Sequence, residues 1–465
     1  MNNISNYDYE GQLQGYREAE FQDVTFLQIE SYSNHEEVYK AANMLVEEFS
    51  KSRKQIRNPK KYSRDARKLI ASIWFHEGLF RFTTKDKYFS KNHRKQVWMT
   101  NRILDLFNCA KELDWVEIIK DAIPPYIAKG DKGLASIYQA TIHFKTLLTH
   151  LSEKDITSNP DLPWILRKDG NKAVIEEPEE FYESTKYKRS KHLLERHLKR
   201  LLAHKASWEG GSPISAVELR LTRQFTEDFS HGGRFYCNFQ NKSKKDRNKI
   251  TLDGKPVGSL DISQCHPMLI LRIYHNKGVE DGLFGNFYDD VYHVHGYDFL
   301  HRDLRKKVIN TLINAENEDA GITSILNTRW WVDGLTDEIV TKTFKKQRRY
   351  GYKLFDNKKE VLKFIESFKL QHPLFEEVLG SGRGLELQGF DGNITFNMLK
   401  LADQLDIPII PIHEEYLCKE EDREAITEML RDAIRLVLDK YFHNGNIKAK
   451  WTNSFGQEEL VQIAL

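Results

Sequence analysis

The residues of this sequence that most readily suggest chemistry are carboxylates set at the ends of apolar segments. In GKPVGSLDISQCHPMLI, residues 254–270, an apolar strand over 255–262 is followed by a turn at 263–267 and an apolar helix. Asp261 then stands at the strand's C-terminal end, exposed where strand becomes helix. A carboxylate there can hold a divalent cation, with the carbonyl of Ile262 as a second oxygen ligand. It can also cap the following helix, which is the commoner use of a lone strand-end Asp. Further on, in 385–422, QGFDGNITFNMLKLADQL reads as a helix. IPIIPI and YLCK read as two β-like arms, with His413, Glu414 and Glu415 at the turn between them. Like charges gathered on one turn repel. A bound cation offsets that repulsion; a turn open to solvent is the alternative.

Cations recur in a pattern of their own. In DFLHRDLRKKVINTLINAENE, residues 298–318, Arg302, Lys306, Asn310 and Asn314 come every four residues and so share one helix face. Asp298 suits the N-cap, and Leu304, Val308, Leu312 and Ala315 suit the packed face. Such a stripe can grip the phosphates of a nucleotide, or it can be an ordinary amphipathic surface helix. In GGRFYCNFQN, residues 232–241, two glycines permit a close backbone approach. Arg234, Phe235 and Tyr236 suit a template phosphate or base, although alone the segment is a generic loop.

In this order the four segments resemble the superfamily of family A DNA polymerases and the phage and mitochondrial single-subunit RNA polymerases. LDISQCHP is similar to motif A, whose strand-end Asp binds both catalytic metals. Arg302, Lys306 and Asn314 resemble the motif B finger helix, where Arg and Lys contact nucleotide phosphates. Gln388–Gly389 resembles the helix before motif C, and PIHEEY resembles the motif C turn. GRFY resembles the Gly-Arg-aromatic-Tyr element of single-subunit RNA polymerases. The pattern is also similar to a group of bacterial and mobile-element proteins with a winged-helix-like N-terminal half and a palm-like C-terminal half. The resemblance covers less than half of the chain, and each motif is short.

It implies two-metal catalysis with Mg2+, or Mn2+ in its place. Asp261, Ile262 and Glu414 would be the metal ligands and Glu415 an aid at the primer end. Arg302, Lys306, Asn310, Asn314 and His266 would meet the nucleotide. Arg234, Tyr236, Gln388 and His413 would meet template and primer. Three positions depart from the family pattern. Glu414 stands where motif C usually has Asp, and its extra methylene moves the carboxylate by more than about an ångström, a change that can weaken the metal geometry or abolish activity. Asn314 replaces a stacking Tyr. His266 stands where family A DNA polymerases carry a Glu that blocks the ribose 2′-hydroxyl, and its bulk leans towards deoxynucleotides.

The elements expected to position these residues make an α+β protein. A polar N-terminal segment (1–60) precedes a winged-helix-like domain (61–152). In that domain ARKLIASIWFHE reads as a helix and FRFTTKDKYF as β-prone. RKQVWMTNRILDLFNCAKELDW reads as a long amphipathic helix with Trp98, Ile103, Leu104, Phe107 and Leu113 near one face. VEIIKDAIPPYIAKGDKG reads as a hairpin and SIYQATIHFKTLLTHL as a closing helix. Such a domain is either a DNA reader or a structural accessory. Residues 153–230 read as a linker with a short strand pair and basic thumb-like helices. Of these, 181–206 either runs along a phosphate backbone or packs through Leu193, Leu194, Leu198 and Leu201. A palm with motif A (231–297), helical fingers (298–384), and a palm with motif C and C-terminal helices (385–465) complete the expectation.

Composition narrows the partners. A chain of 465 residues suggests two or three domains. The net charge of +2 is close to balanced, yet basic stretches at 51–68, 186–205, 242–249 and 345–349 alternate with acidic runs at 176–180 and 414–424. Local patches decide phosphate binding. Cys109, Cys237, Cys265 and Cys418 lack the spacing of a zinc site or a disulfide framework. The N-terminus is polar and acidic, unlike a signal peptide, and no apolar run is long enough to span a bilayer. The expectation is a cytoplasmic, monomeric protein whose partners are a DNA or RNA template-primer and nucleoside triphosphates. No exonuclease-like carboxylate pair precedes the motifs, so proofreading is not expected. A DNA polymerase is favoured slightly over an RNA polymerase. A weak or inactive DNA- or RNA-binding replication or regulatory protein is the alternative, and a two-metal nuclease is a third. A template-independent nucleotidyltransferase is a variant of the first.

Overall fold

The computed structural model describes residues 24, 26–52, 56, 58–76, 78–84, 100–122, 135–170, 172–274, 291–332, 339–343, 351–439 and 446–465. Helices and antiparallel sheets are mixed, as an α+β architecture requires. The chain divides into two units. One is Met1–Glu177 with Ile214–Arg220; the other is Pro178–Pro213 with Leu221–Leu465.

The first unit opens with β1 (Ser31–Ser33), α1 (Glu36–Ser52) and α2 (Pro59–Phe75). Asn58 starts α2 by accepting from the Lys61 amide, and Pro59 supplies a pre-set first turn. Val38, Ala42, Leu45 and Phe49 of α1 recur three or four residues apart and join the core with Leu69, Ile70 and Ile73 of α2. The sequence 1–60, polar as a whole, therefore contains a core helix. Then come β2 (Leu79–Phe82), α3 (Asn101–Glu112), β3 (Val116–Lys120) and β4 (Ser136–Ala140). The three strands form an antiparallel sheet in the order β2-β4-β3.

One expectation is corrected here. SIYQATIHFKTLLTHL is not one helix: residues 136–140 are the central strand β4, and only Ile142–Leu147 forms a helix, α4, capped by Thr141. Ile137 and Tyr138 are buried in that strand, and pairing on both sides outweighs local helix propensity. Trp98 and residues 123–134 of the expected hairpin loop lie outside the described residues. β5 (Ile156–Ser158) pairs with β1. The expected strand pair in the linker forms as β6 (Ile165–Lys168) and β7 (Val174–Ile175), antiparallel.

The first long element of the second unit is the basic helix α5 (Thr185–Ala203), capped by Ser184. Tyr187, Leu193, Leu194, His197 and Leu201 are buried and Leu198 is half-buried. Next come β8 (Ser207–Trp208), β9 (Thr222–Thr226), β10 (Asp228–Tyr236), β11 (Ile250–Leu252), β12 (Lys255–Ile262) and α6 (Cys265–Tyr274). They are followed by α7 (Arg302–Ile313), α8 (Glu318–Leu326), β13 (Thr328–Val332), β14 (Ile339–Thr343), β15 (Tyr352–Lys353) and α9 (Lys358–Gln371). The chain ends with α10 (Gly384–Leu405), β16 (Ile410–Ile412), β17 (Glu415–Lys419), α11 (Arg423–Leu438), β18 (Asn446–Thr452) and β19 (Glu458–Ala464).

The main sheet has seven strands. β16, β17, β12, β11 and β8 follow one another, β18 pairs with β12, and β19 closes on β18. The 22-residue α10 packs along β10 and beside α11. Two helix boundaries differ from expectation. α7 is capped by the His301 side chain, which accepts from the Asp303 amide, and not by Asp298. Asn314 is the C-cap of α7, so it lies at the end of the cationic stripe and not within the helix body. The expected packed face is present: Leu304, Val308 and Leu312 are buried. The basic stretch at 345–349 lies outside the described residues.

Candidate active site

β12 is central in the sheet where Asp261 sits. Asp261 is directly opposite Glu415 on β17 and directly opposite Lys450 on β18. Directly opposed residues of an antiparallel ladder share a face, so Glu415, Asp261 and Lys450 form one row across three strands. The Ile262 amide donates to the Glu414 carbonyl at 3.2 Å, which sets Glu414 beside that row. The turn before it is tight: His413 has φ 56°. Its carbonyl accepts from the Thr395 hydroxyl of α10 at 3.1 Å, and Thr395 is also 3.0 Å from the Tyr416 hydroxyl. The helix thereby pins the turn.

The electrostatics follow from this placement. Burial, then the charges of Glu414 and Glu415, pushes the Asp261 carboxyl up to about 7, against the pull of Lys450 and Lys306. The Arg247 guanidinium donates to Glu415 at 3.3 Å.

Arg234 stands at the hub. Its Nε donates to Asp391 of α10 at 2.6 Å, and one terminal nitrogen lies 3.0 Å from His266 Nε2. The same nitrogen is 3.9 Å from Glu414. A guanidinium can only donate, so His266 Nε2 accepts, and the neutral ring carries its proton on Nδ1. Burial, then Arg234, pushes His266 down to about 4. Burial pushes Asp391 up, and the Arg234 charge opposes that push. Tyr236 meets His413 edge-on at 5.4 Å; burial raises the phenol's pKa and lowers the imidazole's.

Main chain meets main chain behind Arg234. Gly233 has φ 87°, and a Cβ there would lie 2.7 Å from the Phe225 ring. A Cβ on Gly392 of α10 would lie 2.2 Å from the Gly233 carbonyl oxygen. Arg223 donates to that carbonyl at 2.9 Å and to Asn393 at 2.7 Å, with the rings of Phe225, Phe235 and Phe396 around it.

On α7, Arg302 and Lys306 are exposed and lie over the buried Tyr292 ring at 5.2 and 5.9 Å. Asn310 is half-buried, and its carbonyl accepts from the Asn314 side chain at 2.7 Å. The Gln388 amide donates to Asn314 at 3.4 Å, joining α10 to the end of α7. The structure thus brings Asp261, Ile262, Glu414, Glu415, Arg234, Tyr236, His266 and His413 into one cluster. Lys306 acts on Asp261 through its field, Arg302 lies one turn before it, and Asn314 with Gln388 makes a separate contact.

Sequence reasoning missed Asp391, Lys450, Arg247 and Thr395. Asp391 had a signal: an acid between apolar residues of a helix is rarely buried without a cationic partner. Lys450 had none, because only the order of strands places it beside Asp261.

The oxygens at this site are of the hard kind that magnesium and manganese take. Asp261, Glu414 and the Ile262 carbonyl offer hard oxygens. Among the described residues no group of three or more His, Cys, Asp or Glu side chains is arranged to hold a metal ion. Magnesium in nucleotide-handling sites commonly takes one or two carboxylates and completes its shell with water and substrate phosphates. No helix among the described residues is long and apolar enough to cross a membrane.

No family model matches the chain, and no curated protein matches it. Among solved structures it is similar to the POL domain of Pol1 from M. smegmatis in complex with DNA primer-template and dNTP. The TM-score is 0.30 and the identity 12%, over 59% of this chain and 54% of that one. The match thus spans about half the length of that neighbour.

Proposed function

We propose that this chain is a template-directed nucleic-acid polymerase, with deoxynucleotides favoured over ribonucleotides. The observation that carries this reading is the row in which Asp261 opposes Glu415, with Glu414 bonded to the next main-chain position. Distant parts of the chain meet there as carboxylates that repel one another until a cation joins them. Divalent cations on Asp261, Glu414 and the Ile262 carbonyl would supply activation of a 3′-hydroxyl and neutralisation of departing pyrophosphate.

The other residues take the roles that a polymerase palm and fingers need. Arg302 and Lys306 neutralise the triphosphate, with Asn310 and Asn314 further along the same helix. His266, held by Arg234, narrows the space at the sugar. Arg234, Tyr236, His413 and Gln388 hold template and primer, and Glu415 assists at the primer end. On this reading 231–297 and 385–465 form the palm, 298–384 the fingers and 153–230 the thumb side. The helix-helix-strand-helix-strand-strand order of the first unit supports a winged-helix-like domain for DNA.

The test is extension of primed and unprimed DNA and RNA templates with Mg2+ or Mn2+ and each set of nucleotides. Wild-type protein is expected to incorporate, and Asp261→Ala is expected to abolish incorporation; unchanged activity in that variant ends the proposal.

A second reading is a palm-like nucleic-acid-binding protein without catalysis. Its support is that both turn carboxylates have cations nearby, Glu414 with Arg234 and Glu415 with Arg247. Glu414→Asp separates the two. A gain in incorporation marks a weakened enzyme. Salt-sensitive binding with no incorporation by either protein marks the second reading.

A further inference from the structure

Asp391 has no part in the chemistry proposed above, yet its residue is only 1% exposed. Its partner Arg234 has two acids within reach, Asp391 at 2.6 Å and Glu414 at 3.9 Å. The Arg234 side chain is itself only 18% exposed, and a guanidinium so far withdrawn from water needs a counter-charge. Without Asp391 the nearest carboxylate is Glu414, and an arginine paired there would compete with a metal ion for the same oxygens. The backbone leaves little room for another arrangement. Gly392 lies against the Gly233 carbonyl, and Arg223 ties that carbonyl to Asn393, so β10 and α10 are held close together next to the pair.

We propose that Asp391 is a positioning residue: it holds Arg234 back from Glu414, so that the Glu414 oxygens remain available to a divalent cation. This rests on Glu414 being a cation ligand, as the polymerase reading has it. Asp391 itself touches neither nucleotide nor metal. It sets the affinity of the site for its cation by occupying the competitor.

The test measures Mn2+ binding to the full chain with no nucleic acid or nucleotide, by electron paramagnetic resonance of the free ion, with a melting curve to confirm folding. Asp391→Asn keeps the size and one acceptor but removes the charge. It is expected to weaken Mn2+ binding by about tenfold or more, the usual scale for residues that support metal ligands. Excess Mn2+ should then restore incorporation. The double replacement Arg234→Met with Asp391→Leu removes the competitor with its counter-charge, and should bind Mn2+ at least as tightly as wild type. If Asp391→Asn does not fold, the double replacement decides alone. Unchanged binding in Asp391→Asn, or weakened binding in the double variant, overturns the positioning role while leaving the polymerase reading in place. Wild-type protein that binds no Mn2+ overturns both.

Discussion

Asp261 lies between two neighbours of opposite sign, Glu415 on one side and Lys450 on the other. The acid side and burial win, and the carboxyl is pushed up to about 7. An unfolded Asp titrates near 4. Between those values the folded state keeps a proton that the unfolded chain has released, so metal-free stability falls as pH rises from about 4 to about 7. Asp261→Asn should therefore raise the melting temperature at pH 8 in chelator and change it little at pH 4. An equal shift at both pH values contradicts the raised carboxyl. With Mg2+ added, the wild-type melting temperature should climb through binding to the folded state alone, and that climb should vanish in Asp261→Ala. The strand end at Asp261 and the turn at Glu414 were legible in the sequence because apolar runs stop there and charges stand out. For Asp391 the sequence signalled a buried acid but not its partner, because Arg234 lies 157 residues earlier and no spacing rule joins them.

At the scale of elements, the contact of β10 with α10 decides whether Arg234 is in place. Arg223 fills it with hydrogen bonds to Gly233 and Asn393 and with three aromatic rings. Lys cannot reproduce that planar fork, so Arg223→Lys should cost about 1–3 kcal/mol in urea unfolding. Gly392→Ala places a methyl where the Gly233 carbonyl stands and should cost about 1–3 kcal/mol by overpacking. A loss under about 0.5 kcal/mol in both would mean that this contact yields. Element types were legible where a single period runs uninterrupted, as in β12 and α10. They were not in 136–147, where strand and helix abut at Thr141 and apolar residues continue through both. The partnership with β2 and β3 that makes 136–140 a strand is set by tertiary structure, which a local period does not report.

Across the whole molecule, a net charge of +2 leaves nucleic-acid binding to local patches. Affinity for primer-template should fall steeply with salt, and Asp261→Ala should leave that affinity unchanged while removing incorporation. Loss of both together would mean that Asp261 supports the fold of the binding surface. The basic helix α5 is itself partly committed: Arg196 pairs with Asp403, and Arg200 with Asp403 and Asp406. Those acids end the same helix α10 that carries Asp391, about 18 Å away along its axis. On the polymerase reading, a strand gripped by α5 would be linked through these ion pairs to the same helix that holds the arginine beside the carboxylates. Grip on the departing duplex and readiness for the next nucleotide would then be two ends of one lever.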